Sequence, residues 1–203
     1  PTPNFVYDYD LDDVRRDITC IPYKWTGTGT AIKEPNKCFG GWSFGKLRFE
    51  WLNRIVTSTN DDGMNWQVMR YADIYLMAAE AILRGANGTE TEALGYVNEV
   101  RSRAYMSGKY AKSGVRSDVS GEIGLNELSL NFILSERQKE LASELTRRTD
   151  LIRFGKYTKG NNWDWKNGIR LGGDVDDKYQ LFPIPESELT NNPALNQNDG
   201  YKQ

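Results

Sequence analysis

Two apolar stripes with helical spacing, set only a few residues apart, constrain this chain more than anything else in it. Ala72, Tyr75, Leu76, Ala79, Ile82 and Leu83 recur at intervals of three and four, which places them on one face of a helix running from about Gln67 to Arg84. Asp73, Glu80 and Arg84 fall off that stripe. Gly85 can adopt the left-handed backbone that ends a helix. Thr89, followed three residues later by Glu92, is a capping box, and Ala93, Tyr96, Val97, Val100 and Ala104 form the stripe of a second helix. So short a connection makes the pair an antiparallel αα-hairpin. Ala72, Ala79, Ala93 and Ala104 let the axes approach closely, as in helical-repeat architectures.

Around this hairpin the pattern loosens. From Pro1 to about Trp66 the sequence is aromatic, broken by Gly and Pro, and reads as loop with short extended runs at Asp17 to Ile21 and at Lys46 to Phe49. Asn60 to Gly63 is a cluster of turn formers that marks a boundary. Tyr105 to Gly124 has no apolar rhythm and is expected to be an exposed excursion. A third, long helix is expected from about Glu127 to Phe154, with Leu130, Ile133, Leu134, Leu141 and Leu145 on one side and dense charge on the other. Beyond Gly155 the chain is irregular, Pro183-Ile184-Pro185 forces extended backbone, and Glu186 to Leu189 allows one helical turn. The fold class is therefore mainly α: a tetratricopeptide-like αα-hairpin plus a further long helix, with extensive irregular loops and short strands, of the α-α superhelix type. Residues 1–66 form a loop-rich aromatic segment and residues 67–203 a helical region with a tail wrapped over the helices, the two belonging to one domain.

The composition removes several chemistries. Histidine is absent from all 203 residues, so Ser-His-Asp, Cys-His and histidine-based metal sites are excluded within the chain. Lys and Arg total 26 against 28 Asp and Glu, a balance that draws the protein neither to nucleic acid nor to anionic lipid. The longest apolar-rich stretch, Ile74 to Leu83, contains Glu80 and falls far short of the roughly 20 residues needed to cross a bilayer. The chain opens at Pro1 with neither an initiator methionine nor a lipidation cysteine, so it is expected to be a piece of a longer protein. Cys20 and Cys38 are candidates for a disulfide that would restrict the unfolded chain by roughly 3 kcal/mol, the alternative being two separately buried thiols.

Four blocks, in order, carry a resemblance. Met69-Arg70-Tyr71-Ala72-Asp73-Ile74-Tyr75-Leu76-Met77-Ala78-Ala79-Glu80-Ala81 is the first, and Glu136-Arg137-Gln138-Lys139-Glu140-Leu141 leads into the second, Arg147 to Lys156. Pro183-Ile184-Pro185 and the ending Asn192 to Tyr201 complete the set. Together they resemble the SusD/RagB proteins, nutrient-binding outer-membrane lipoproteins of Bacteroidetes-type bacteria, over most of the chain. Where family members often carry an aromatic residue near the start of Asp150-Leu151-Ile152-Arg153, this chain has Arg148-Thr149. The resemblance implies a non-enzymatic, cell-surface protein of the outer membrane, held there only by a lipid anchor outside this chain. It implies capture of an oligosaccharide or polysaccharide and delivery to a SusC-like TonB-dependent transporter, with no cofactor and no nucleic acid. A helical-repeat scaffold that binds a peptide or protein partner without sugar is the alternative.

The residues themselves allow a choice of site. Sugars present apolar C–H faces ringed by hydroxyls, which suits flat aromatic side chains beside polar groups. Tyr23, Trp25 and Trp42, near Lys24, Lys33 and Asn36, are the ligand-binding candidates, against the alternative that these rings are buried under the loops. Trp163 and Trp165 read as core. Asp73, Glu80, Glu136, Arg137, Glu140, Asp150 and Arg153 could in principle hold an acid/base pair, but helical charges beside apolar stripes more often form ion networks that set how helices pack, so no catalytic residue is assigned. Asp174, Asp176 and Asp177 lack a full calcium-loop pattern and read as a solvated turn, so no metal is assigned.

Overall fold

The computed structural model describes residues 2–21, 24–25, 31–32, 43–46, 67–111, 120–160 and 162–201. It divides into two compact units, Pro1–Arg147 and Arg148–Gln203.

In the first unit the hairpin forms as its periodicity dictates. Helix α3 spans Tyr71–Leu83 and α4 spans Glu90–Ala104, numbered after two short N-terminal helices, α1 (Pro3–Tyr7) and α2 (Val14–Thr19). Helix α4 is opened by the full capping box: the Thr89 hydroxyl accepts from the Glu92 amide at 3.2 Å, and the Glu92 carboxylate accepts from the Thr89 amide at 2.7 Å. Gly85, at φ 97°, closes α3, with its amide donating to Ile82 and that of Ala86 to Ala81 in a Schellman arrangement. Leu76 and Ala79 from α3, with Ala93 and Val97 from α4, are fully buried. Packed against α3 is α5, Leu130–Glu140, which contributes Ile133 and Leu134 to the core.

The long helix expected from Glu127 to Phe154 is instead two helices, α5 and α6 (Arg147–Arg153), separated by a turn. The cause is a competition for one carbonyl. Glu140 C=O, which an uninterrupted helix would offer to the amide of Glu144, accepts instead from Lys46 Nζ at 2.5 Å and Arg70 Nη2 at 2.6 Å. The Glu144 amide turns to Leu141 O, and Ser143 and Leu145 adopt left-handed backbone at φ 66° and 61°. Helix α3 also begins later than expected, because Arg70 stays extended at φ −147° and ψ 162° while its guanidinium reaches this turn.

Two further expectations are corrected in the first unit. Asp17 to Thr19 is helical rather than extended, since the Asp13 carboxylate accepts from the Arg15 amide and caps α2; only Cys20–Ile21, β1, is strand. Tyr105, Ser107 and Ile123, in the stretch expected to be an exposed excursion, are buried: Asn98 clamps Ile123 by both of its amide atoms and Ser107 Oγ donates to Ser120 O. Residues 112–119 lie outside the described residues.

The charges that fall off the apolar stripes are buried, and they organise the unit. Glu136 and Glu140 stand one turn apart on α5, with Glu144 in the turn that follows. Glu136 is 0% exposed and receives Arg101 of α4 at 2.9 Å and Arg15 of α2 at 2.7 Å. Arg15 also meets Glu140 at 2.8 Å, and Arg70 and Arg103 converge on the same carboxylate. Glu144 takes Lys46 and a forked pair of bonds from Arg70. On another face of α5, Arg137 pairs with Asp73 of α3 at 2.7 Å. Burial alone would push the Glu140 carboxyl up, but the guanidinium groups of Arg15, Arg103 and Arg70 outweigh it and hold the group at about 2.

Two predictions follow from this network. Arg137→Ala leaves Asp73 buried without its partner and is expected to lower stability by about 3–5 kcal/mol in urea denaturation; an unchanged midpoint would contradict the structural role. Because Glu140 ionises from an ordinary value of 4.5 down to about 2 in the folded chain, its contribution is complete above pH 4.5 and is lost as pH falls from there towards 2, amounting to about 3 kcal/mol. Glu140→Gln is therefore less stable than the parent at pH 7, and the gap between the two narrows through that acid window; a gap independent of pH would refute the linkage.

Candidate functional site

The candidate aromatic residues lie in a segment whose two ends are stitched together. Strand β1 pairs antiparallel with β4 (Ser43–Phe44), Cys20 facing Phe44 and Ile21 facing Ser43, and the Gly45 amide donates to Thr19 O at 2.9 Å. Inside that ladder, β2 (Lys24–Trp25) pairs with β3 (Ala31–Ile32), placing Trp25 opposite Ala31. Nested pairing of this kind holds an excursion at its base and returns the chain to where it left. Of the three ligand-binding candidates, only the backbone of Trp25 is among the described residues; Tyr23, Trp42 and the Trp25 side chain lie outside them.

The base of the excursion is anchored by packing and by charge. Val6, Tyr9 and Cys20 form a small core against which Phe5 packs, with Phe5 edge-on to Tyr9 at 5.3 Å and 6.1 Å from Phe44. The Tyr9 hydroxyl donates to Lys139 O on α5 at 2.9 Å. Arg15 lies just before the excursion and Lys46 just after it, and both end on the acidic ridge of α5 and its following turn. Cys20 is a free thiol in this structure, buried, with burial pushing its pKa up to about 11; Cys38 lies outside the described residues.

The second unit carries aromatic surface of its own. It contains α6 from Arg148 onward, a 3-10 turn at Lys166–Gly168, another at Asp177–Gln180, and α7, Glu186–Asn191. Arg148 lies over the ring of Phe182 at 4.3 Å and over that of Tyr157 at 5.1 Å, and its Nη2 donates to the carbonyls of Tyr179 and Gln180. Phe182 is 72% exposed and Tyr179 47%. Gln197 holds Ile184 through both of its backbone polar groups, which fixes the Pro183-Ile184-Pro185 segment beside them. Tyr179 and Phe182 were not singled out by sequence reasoning; the signal was Arg148, noted as a departure where relatives carry an aromatic residue. Its planar guanidinium stacks on rings as an aromatic side chain does.

The expectation that Trp163 and Trp165 are core is not met: Trp163 is half-buried, and Trp165 is 43% exposed on left-handed backbone at φ 68°. What is buried there is Lys166, whose ammonium donates to Thr158 O at 3.0 Å and sits 4.8 Å from the Trp163 ring. Asp176 caps its own turn by accepting from the Lys178 amide, and Asp177 is engaged by Lys159 and Thr158. The helical carboxylates Asp73, Glu80, Glu136, Glu140 and Asp150 each face a cation, respectively Arg137, Arg84, Arg101, Arg70 and Arg153.

Helices locked by buried ion pairs, with an excursion closed at its base by a strand pair, define a helical scaffold. A family model described as the SusD family matches residues 13–201. The chain belongs to the SusD family. It is 35% identical over 199 residues to the starch-binding protein SusD of Bacteroides thetaiotaomicron, a match covering 95% of this chain and 32% of that protein. Its fold matches a SusD homologue from the same organism with a TM-score of 0.71 at 24% identity, covering 98% of this chain and 43% of the other. Surface glycan-binding protein A from Bacteroides uniformis aligns with a TM-score of 0.62 at 25% identity, over 97% and 40%. The chain thus spans about a third of the length of its curated relative and less than half of these solved structures.

Arg148→Lys keeps the charge but removes the planar fork that spans Tyr157, Phe182 and two carbonyls. It is expected to loosen the Tyr179–Phe182 segment by about 1 kcal/mol, read as roughly five-fold faster amide hydrogen exchange there; unchanged exchange would show that the stack contributes nothing.

Proposed function

We propose that this protein binds oligosaccharide or polysaccharide at the cell surface and passes it to a SusC-like TonB-dependent transporter, held at the outer membrane by a lipid anchor on the longer protein, without catalysing any reaction. The observation that carries the reading is the 35% identity, over 95% of the chain, to a protein named for starch binding. The chemistry agrees with it. Helical carboxylates paired with arginine serve the frame, and recognition falls to rings on loops: Tyr23, Trp25 and Trp42 on the stitched excursion, where flat apolar faces complement sugar C–H faces. The alternative, a scaffold for a peptide or protein partner, has no comparable support among the relatives.

The test is native electrophoresis of the intact protein in gels cast with a panel of neutral polysaccharides. At least one is expected to retard it, and combined Tyr23→Ala, Trp25→Ala and Trp42→Ala should weaken that retardation by about 100-fold at 1 kcal/mol or so per ring. No new reducing ends should appear on long incubation. Uniform failure to retard, or release of sugar, would end the reading.

A further inference from the structure

The first unit contains a cavity of about 660 Å³ between α2, the chain around Lys46 and Arg70, the end of α4, and α5. Its cations include Arg15, Lys46, Arg70, Arg103 and Lys139. All but one of these are committed to carboxylates: Arg15 to Asp13, Glu136 and Glu140, Lys46 to Glu144, Arg70 to Glu140 and Glu144, and Arg103 to Glu140. Lys139 is the exception. Only 8% of its surface is exposed, it lines the cavity, and its side chain has no carboxylate among the described residues; the one bond made by the residue outside its helix is at its backbone oxygen, which accepts from Tyr9.

The stem of Lys139 is packed while its ammonium, unpaired among the described residues, keeps contact with solvent, so the charge is available to an incoming anion. Val14, Ile18, Met69, Ala104 and Met106 give the same cavity apolar walls. One unmatched cation beside apolar surface selects a ligand with a single negative charge on an otherwise uncharged, partly apolar body. The volume falls within the range of small-molecule sites and accommodates a sugar unit. Polyanions are disfavoured, because the remaining cations are already neutralised.

We propose that this cavity is an anion subsite, with Lys139 as its counter-charge, that takes a monoanionic sugar unit bearing a carboxylate or a sulfate ester. The proposal rests on the carbohydrate-binding reading and adds acidic sugars to it. Since the charged group meets a fixed ammonium in a half-apolar site, the acidic unit should bind at least ten-fold more tightly than its neutral counterpart. Lys139→Met, which keeps the apolar stem and removes only the charge, should erase that preference while preserving stability, because no ion pair is lost.

Calorimetric titration of the intact protein with a galactose oligomer ending in a single galacturonate, the matched neutral galactose oligomer and a galactose oligomer bearing one sulfate ester is the test. A ten-fold preference for galacturonate or for the sulfated sugar supports the subsite, and which of the two wins identifies the source of the charge. Equal affinity for acidic and neutral oligomers in the parent protein overturns it, whatever the variant does. A preference that survives in Lys139→Met also overturns it, by placing the charge recognition elsewhere. Retention on neutral polysaccharides without any acidic preference removes this inference alone and leaves the broader carbohydrate reading standing.

Discussion

A row of three carboxylates, Glu136, Glu140 and Glu144, is the constraint on which the first unit depends. Arginines from α2, from the residue before α3 and from α4 end on it, as does a lysine that follows β4. Buried ion pairs of this kind contribute little net stability over a well-packed apolar core, since desolvation offsets most of the attraction. Their effect is on register. A helix that slid by one residue would leave a guanidinium or a carboxylate buried without its partner, a cost of several kcal/mol that apolar side chains sliding over one another do not incur. The network therefore selects one arrangement of the segments around α5, and among what it selects are the positions of Arg15 and Lys46, which flank the stitched excursion.

How much of this was legible in the sequence follows from how local each cause is. The α3–α4 hairpin was readable because every determinant lies within it: two stripes, a glycine at positive φ and a capping box. Asp73 and Glu80 were read as off the stripe and as members of ion networks that set helix packing, and both are buried against arginines, though which arginines the sequence did not say. Periodicity treats charge as a sign of solvent, and only the partner's position tells a buried pair from a wet one. The break between α5 and α6 was illegible for the same reason. The groups that capture Glu140 C=O come from Lys46 and Arg70, 94 and 70 residues away in sequence, while the local pattern of leucines ran straight through.

The candidate aromatic residues were legible as a kind of residue more than as particular positions. An excess of aromatic side chains outside the helical stripes pointed to loops, and β1–β4 closes an excursion whose sequence carries four of them, Tyr23, Trp25, Phe39 and Trp42. Exposed rings also sit where the pattern was silent. Tyr179 and Phe182 lie beside a segment ruled by proline, and they are arranged by an arginine whose partners are ring faces and carbonyls, neither of which leaves a spacing to find. Trp165 was read as core from its place in a recurring block, but left-handed backbone turns it outward and the neighbouring Lys166 is buried instead.

The distribution of cations in the frame separates those engaged by carboxylates from the one that is not. Arginine dominates where several carboxylates must be satisfied at once, because its planar fork spans two acceptors and stays charged when desolvated. Arg70 shows this, bridging both Glu140 and Glu144 while still reaching a carbonyl. A group so fully engaged has no capacity left for a ligand, since any new anion must displace an internal one and leave it buried. Lysine is a point charge that needs only one partner, and Lys139 has none within the frame among the described residues. Among the cations named in this cavity, Lys139 is the one at which an incoming charge would break no existing pair.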